Sequence, residues 1–490
     1  TLLALALLAC LLRYTLVPLL VYCRPNLDAY FFDLGVYGVY PQRHYRSFHL
    51  SSPSPRTPVW SADVCERESA EGGLVLLDIS GEVSHTGPAI FDLKGNLVWT
   101  DNTFGQRAMN LRWQKWRGEE YLTFWAGEFL GDFDYGKYYM LDRGFNLAKT
   151  VQAVGEGLHG DPHEFIITND DTALIVVSPR TRDVDVRSTH HASMRPDLLD
   201  AVLQEIDIDT GELLFEWRAS QHFNDGEYLK YSYDPTPLHR PNIFERVFGA
   251  AQTDPIDYFH MNSVDKDSEG NYLVSIRKTH QVICISGKTG EILWGLGGRA
   301  TDFTDVDAED AIAFRWQHDA RWIDEDQGLL SVFDNGMSKG LADNSDYSQG
   351  LVFEVHIANR TFQQVHSYNP MRPIRSISQG SLTYLPGSHR APELPNAGVV
   401  LAPQDQVFVG WGSALAYTLH DAETEELLCE THFSPAAFFS WERVKSYRSV
   451  RAPRDLHFRP EKWDPSAVWD GGRIYVSWNG GVEVRSWLLQ

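Results

Sequence analysis

A weak internal repeat constrains the fold of this chain more than any other feature. FDLKGNLVW (91–99), IDIDTGELLFEW (206–217), ISGKTGEILWGL (285–296) and the degenerate HDAETEELLCE (420–430) each set a strand, a tight turn containing Asp or Gly, and a second strand ending in an aromatic or apolar residue. Each is a β-hairpin by its turn chemistry. Hairpins recurring in this way, preceded by runs such as DKDSEGNYLVSIR, are what the outer strands of propeller blades look like. Short apolar or alternating runs lie between them, among them Leu74–Ile79, Ala173–Val177, Tyr272–Ile276, Leu329–Phe333 and Leu351–His356. Long stretches of 3.6-residue period are nearly absent, so the chain reads as all-β. The irregular spacing of the hairpins leaves a large β-sandwich or a β-helix as alternatives.

Charge narrows the partners. Forty-three Lys and Arg against 66 Asp and Glu give a net charge of −23, which repels a phosphate backbone and argues against nucleic acid while leaving room for a local cationic pocket. The five cysteines form no CxxC pair, so no zinc ribbon, Fe–S site or thioredoxin motif is expected, and no ligand spacing calls for a metal or a cofactor. Residues 1–23 carry one charge, Arg13, and match the roughly 20 apolar residues that a spanning helix needs. They read as a signal anchor or a signal peptide, which places the rest of the chain in the secretory lumen or outside the cell, with membrane anchoring as one outcome. The sequon Asn359-Arg360-Thr361 is compatible with that route. Of the cysteines outside that segment, Cys65, Cys284 and Cys429 allow one disulfide at most, and Cys284 reads as a core strand residue. The expected organisation is therefore residues 1–23 as signal or anchor, 24–58 as a linker containing SSPSPRTP, 59–435 as the catalytic β-domain, and 436–490 as strands closing it or appended to it.

Three segments set a histidine beside acidic or amide groups at a strand edge: GDPHEF with His163, YFHMNSVD with His260 and FRWQHDARW with His318. A fourth, SIRKTH, puts Arg277 at a strand end 17 residues after His260. An isolated strand-end histidine is usually structural. Several comparable segments change that balance, because blades converge on one axis and their inner ends share one pocket. Two competing signals are weak. GMSKG (336–340) fits the G-x-S-x-G elbow, but the apolar helix face that an elbow needs does not follow it. The acidic run DVDAED (305–310) lacks the glycine and terminal glutamate of a calcium loop. No P-loop is present, which disfavours a nucleotide donor. Trp125, Tyr135 and Trp316 are the aromatic candidates for lining a phenol pocket.

Taken together, GLHGDPHEFIIT, QEIDIDTGELLFEWRAS, DYFHMNSVDKDSEGNYLVSIRKTHQVICISGKTGEILWGLGG, FRWQHDARW, SVFDNG, VFVGWGS and YVSWNGGVEV resemble the arylsulfotransferase family, in particular its fungal secreted branch. The likeness runs collinearly from about residue 59 to the C-terminus. It implies a six-bladed β-propeller and an enzyme that moves a sulfuryl group from one phenol to another without a nucleotide donor, through a transiently sulfated histidine. Carried over motif by motif, the nucleophile is His318, and His163, His260, Asn262 and Arg277 hold the sulfuryl oxygens. The partner implied is a small phenolic or aryl sulfate substrate.

Physical chemistry fits that set. A sulfate ester spreads negative charge over three oxygens, and by analogy with phosphoryl transfer its transition state is loose, so positioning and charge stabilisation dominate. Arg277 offers a planar cationic fork. A neutral His318 is a nitrogen nucleophile at pH 7 whose tautomer is fixed either by the adjacent Asp319 or by a more distant group. The same groups also suit acid–base chemistry, such as a cyclisation or isomerisation of a phenolic or polyketide metabolite, and a non-catalytic binding propeller would leave the three histidines apart. Acceptor choice is assigned to the loops at 180–200 and 222–256.

Overall fold

The computed structural model describes residues 2–24, 27–43, 45–47, 54–55, 65, 73–83, 86–104, 107–130, 133–181, 197–222, 232–233, 255–307, 313–337, 347–386, 405–452, 458–481, 484 and 486–488. Helical turns come first: α1 (Leu2–Leu11), a π-helical stretch (Leu12–Leu16), α2 (Val17–Cys23) and α3 (Leu27–Asp33). Among the described residues, no helix is long and apolar enough to cross a membrane.

The body is a succession of antiparallel sheets. β1 (Leu74–Gly81), β2 (Gly87–Asp92) and β3 (Leu97–Thr100) begin the first sheet, and β4 (Arg107–Trp116), β5 (Glu119–Leu130), β6 (Phe133–Leu141) and β7 (Leu147–Val151) form the second. The third is β8 (Phe165–Ile167), β9 (Thr172–Val177), β10 (Val202–Asp207) and β11 (Leu213–Arg218). The fourth is β12 (Met261–Lys266), β13 (Tyr272–Ile276), β14 (Gln281–Ile285) and β15 (Ile292–Leu296). The fifth is β16 (His318–Asp324), β17 (Leu329–Asp334), β18 (Gln349–His356) and β19 (Thr361–Tyr368), with Thr304–Asp305 added in parallel at its outer edge. β20 (Ser381–Leu385), β21 (Gln406–Gly410), β22 (Ala416–Asp421) and β23 (Leu427–His432) make the sixth. Finally β24 (Val444–Arg451) returns to pair antiparallel with β1, Val75 opposite Arg451 and Gly81 opposite Val444, so the first sheet is built from both ends of the body. The four repeated hairpins are the last two strands of the first, third, fourth and sixth sheets.

Strand alternation explains why the sheets stack face to face. In β9, Leu174 and Val176 pack toward the fourth sheet against Val264, Val274 and Ile276, whereas Ala173, Ile175 and Val177 point the other way onto Trp125, Tyr138 and Met140 of the second. Both faces being covered, every residue of β9 is buried. The same two-sided packing links the first sheet to the second, the fourth to the fifth and the fifth to the sixth. Phe408, Tyr417 and Leu419 of the sixth then meet Val75, Leu77 and Phe91 of the first. The succession therefore closes on itself. The sequon residue Asn359 is exposed in the β18–β19 turn.

Two ties anchor the flanks. Cys65 and Cys429 of β23 form a disulfide, and Cys284 is buried in β14 as a free thiol. Residues 24–58, read from sequence as a linker, include α3, whose buried Phe32 and Asp33 dock on the sixth sheet. There the His432 ring is held between Asp33 (Nδ1 to Oδ1, 2.9 Å) and Glu430 (Nε2 to Oε1, 2.7 Å). Burial alone would lower the His432 pKa, but hydrogen bonds and charge from the two carboxylates outweigh it and lift it to about 9. A raised folded-state value means that the associated stability is complete below the ordinary 6.5 and is lost as pH rises through about 9. Unfolding free energy is therefore expected to fall by up to about 3 kcal/mol between those limits, at roughly 1.4 kcal/mol for each step of one in pH. In His432→Ala that slope should vanish in urea titrations across the same pH range. Residues 466–477 form a separate exposed hairpin of β25 (Ser466–Asp470) and β26 (Arg473–Ser477).

Candidate functional site

Among the described residues, each of the six sheets of four or five strands has at one edge β24, β4, β8, β12, β16 or β20. The motif residues lie where the chain enters those strands, His163 just before β8, His260 before β12 and His318 as the first residue of β16. Three neighbouring non-glycine residues adopt left-handed backbone conformations there, His260 (φ +57°), Trp316 (φ +57°) and Asp319 (φ +53°). Such strain collects at sites where surrounding structure overrules local preference.

The three imidazoles meet around Tyr447 of β24. The His163 and His260 rings are 4.8 Å apart and nearly perpendicular, and the Tyr447 ring lies 5.4 Å from His163 and 6.4 Å from His318. His163 and His260 are each backed by a carboxylate, Nδ1 being 2.5 Å from Asp161 Oδ1 and 2.5 Å from Asp257 Oδ2 respectively. Burial would raise both carboxyls, but the facing imidazoles outweigh it and hold both below the usual range. Ionised carboxylates accept, so Nδ1–H donates in each pair and Nε2 faces away from the carboxylate. Both rings remain partly open to solvent. The His260 pKa is lowered by burial, against the pull of Asp257.

His318 differs. It is buried, with Nδ1 2.6 Å from Asn335 Oδ1 and Nε2 accepting the Gln379 N–H at 3.1 Å. Burial first, then the Arg277 charge, push its pKa well down, so it is neutral at pH 7. Arg277 lies over the Trp316 ring at 5.1 Å and donates to the Ile377 carbonyl at 3.1 Å. Asp319 turns away from His318, so the partner of the imidazole is Asn335.

Beneath the imidazoles, a buried ionic network fills the centre. Arg448 donates to Asn110 Oδ1 (2.6 Å), Glu164 Oε1 (2.9 Å) and the Asn262 carbonyl (3.0 Å), and pairs with Asp319 at 3.3 Å. Arg321 bridges Glu164 and Asp319, and Arg112 reaches Asp319 at 3.0 Å. Burial would raise Glu164, yet Arg321, Arg448 and Arg112 outweigh it and hold the carboxyl far below its usual range. Asp78 makes no ion pair among the described residues and is pushed up to about 6 by burial, although Ser446 Oγ and the Asn110 and Tyr447 amides donate to it.

The candidates drawn from sequence thus separate. His163, His260, His318 and Arg277 come together. Asn262 is fully buried within the wall, its Nδ2 donating to the Gln317 carbonyl at 2.6 Å. Trp316 is a buried support for Arg277. Trp125 belongs to the core between the second and third sheets, its Nε1 on the Gly160 carbonyl at 2.7 Å, so it does not line an open pocket. Tyr135 is exposed, its ring tilted against that of His159 at 4.4 Å between centroids. Residues 338–340 of GMSKG, 308–310 of DVDAED, and most of the loops 180–200 and 222–256 lie outside the described residues. No group of His, Cys, Asp and Glu among the described residues has the geometry of a metal site. Tyr447, Asn335, Gln379, Asp161 and Asp257 were not singled out from sequence, although the spacings Asp161-Pro-His163 and Asp257-Tyr-Phe-His260 carry the signal for the two carboxylates.

The sequence model of a family described as Arylsulfotransferase (ASST) matches residues 112–406. No curated protein matches. Among solved structures, the chain is similar to a protein of unknown function from Bacteroides caccae (12% identity, 78% of this chain and 98% of that one, TM-score 0.40). A protein from Lactobacillus plantarum also matches (11% identity, 78% and 99%, TM-score 0.35), as does the Cps50 (Swd1) β-propeller domain of Myceliophteria thermophila (11% identity, 80% and 89%, TM-score 0.33).

Proposed function

This chain belongs to the arylsulfotransferase family, and on that premise we propose that it moves a sulfuryl group between phenolic compounds through a sulfohistidine on His318. The observation that carries the reading is a neutral, buried His318 beside Arg277, at the edge of two carboxylate-backed imidazoles. In the first step, His318 Nε2 attacks the sulfur of an aryl sulfate, the N–S bond forms and the S–O bond to the phenol breaks. Arg277 stabilises the charge on the sulfuryl oxygens. One ring of the His163–His260 pair enters this step as an imidazolium, and the leaving phenolate takes its Nε2 proton, which leaves both rings neutral. In the second step, a neutral imidazole of that pair removes the proton of the acceptor phenol, the new O–S bond forms, and the N–S bond breaks to regenerate His318. We read the six sheets as the six blades of a propeller whose inner edge strands assemble the site. The Cys65–Cys429 disulfide and the apolar segment 1–23 support an oxidising, secretory location, with residues 1–23 as its signal or anchor.

One observation favours a second reading. The Asp161–His163 and Asp257–His260 pairs are open to solvent, whereas His318 Nε2 faces the Gln379 amide, an arrangement that suits acid–base chemistry on a phenolic metabolite. Incubation with nitrophenyl sulfate separates the two. Sulfuryl transfer is expected to leave an adduct of about 80 Da on the peptide containing His318, with ping-pong kinetics toward a second phenol. An unmodified peptide, together with turnover that needs no sulfate donor, would establish the acid–base reading instead.

A further inference from the structure

Asn335 follows β17 directly and is fully buried. Its Nδ2 donates to two carbonyls, Ser376 O at 2.9 Å and Gln379 O at 2.9 Å. Carbonyls only accept, so the amide orientation is fixed and Oδ1 is the atom that faces His318 Nδ1 at 2.6 Å. Oδ1 in turn only accepts, so the imidazole proton resides on Nδ1 and the lone pair on Nε2. That lone pair receives the Gln379 N–H at 3.1 Å. One carboxamide therefore touches the imidazole on one side and, through the Gln379 carbonyl, holds the peptide that covers the other side. The loop is closed: His318 to Asn335, Asn335 to Gln379, Gln379 back to His318. The covering peptide is itself held in an unusual conformation, Gln379 at φ +68° before Gly380 at φ +107°. A Cβ at Gly380 would strike the Phe333 ring, so the turn is tied to β17 as well.

We infer that Asn335 is the positioning residue for His318, keeping its proton on Nδ1 so that Nε2 is the transferring nitrogen, and anchoring the Gln379 amide that caps Nε2 in the resting protein. This rests on the sulfuryl-transfer reading for its catalytic consequence, but the tautomer itself does not depend on any substrate. When a donor arrives, the N–H of Gln379 must leave the lone pair before the N–S bond can form. The proton stays on Nδ1, donated to Asn335 Oδ1, throughout, so the ring need not change tautomer during transfer.

Two variants test the inference. Asn335→Asp keeps an acceptor for Nδ1–H, but its charge makes the imidazole more basic. Rate constants for adduct formation from nitrophenyl sulfate should then show an acid limb moved up by about one pH unit or more, with KM for the donor unchanged. Asn335→Leu removes the nearer of the two acceptors of Nδ1–H, leaving the Trp316 carbonyl at 3.1 Å, and releases the Gln379 peptide that donates to Nε2. The proton is then free to move to Nε2, and adduct formation should slow by about 10²- to 10⁴-fold, the range expected when a catalytic imidazole is left in the wrong tautomer. The direct readout is nitrogen NMR of protein labelled with ¹⁵N-histidine, the His318 signals being assigned by their loss in His318→Gln. Wild type should show a neutral ring protonated at Nδ1, and Asn335→Leu should not. A wild-type ring protonated at Nε2, or Asp and Leu variants that lose rate equally with no shift of the acid limb, would overturn the inference. If wild type shows the expected tautomer but no aryl sulfate labels it, the positioning role stands and the sulfuryl-transfer reading falls.

Discussion

His318→Ala is expected to abolish both the sulfated intermediate and turnover, a loss of about 10⁴-fold or more, because the proposed reaction carries the sulfuryl on His318 Nε2. His163 and His260, each held by its own carboxylate, are assigned the proton transfers. The substitution leaves Asn335 Oδ1 and the Gln379 N–H without their imidazole, at a cost of about 1–3 kcal/mol for each buried group left unpaired, so the thermal midpoint must be measured alongside. Arg277→Ala should behave differently. It removes one donor and its charge, and formation of the intermediate should slow by about 10²- to 10³-fold without being abolished. Because the Arg277 charge helps to lower the His318 pKa, its removal should also move the acid limb of that step to higher pH. Single-turnover labelling, followed by mass spectrometry across pH 5 to pH 8, the range in which a histidine ordinarily titrates, reads both effects. Retained labelling in His318→Ala would transfer the nucleophile to one of the two open imidazoles.

How far the sequence reached depends on the range of the interactions involved. The hairpins at 91–99, 206–217, 285–296 and 420–430 were legible because their turns are decided within a few residues, and each became the outer pair of a sheet. Pairing of β24 with β1 joins residues more than three hundred positions apart, and no local pattern encodes it. At the site, the histidine motifs lie at strand ends that the fold brings together, but the tautomer partner of His318 did not follow from its neighbour. The left-handed backbone at Asp319 directs that carboxylate into the ionic network, and Asn335, 17 residues on, takes the role. Trp125 misled for a related reason. On a strand covered on both faces, an aromatic residue is core whichever way it points. The central charges were the least legible. Arg448 and Glu164 are 284 residues apart, and no local pattern joins them.

Arg448→Met is expected to lower the stability of the folded protein by roughly 3–5 kcal/mol, the usual result of removing one partner from a buried ionic pair. Fully buried, Arg448 is shared by Glu164, Asp319 and Asn110, and the substitution leaves two carboxylates with fewer cations to hold them. Glu164→Gln should cost a similar amount, since Arg448 and Arg321 then lose the carboxylate that they share and Arg112 loses a nearby negative charge. The double variant should lose less than the sum of the two, because each change removes what the other leaves uncompensated. The pH dependence has a definite sign. Glu164 has a folded-state pKa depressed below its ordinary 4.5, so its contribution is complete above that pH and is lost as pH falls toward the folded value. Asp78 acts oppositely. Its value, raised to about 6, favours the folded state as pH falls from there toward 3.8. Wild-type stability should therefore hold or rise slightly on acidification from about pH 6 to pH 4.5, where Asp78 gains and Glu164 has yet to lose, with the Glu164 loss setting in below that. The gap between wild type and Glu164→Gln, taken from urea midpoints, should be constant above pH 4.5 and shrink below it. Activity follows by a shorter path. The Asn262 carbonyl accepts from both Arg448 and the Tyr447 hydroxyl, so losing Arg448 loosens the ring against which His163 and His318 sit. An Arg448→Met protein with unchanged urea midpoint would show that the network is solvated in solution, and would remove the rigid floor that the imidazole geometry requires.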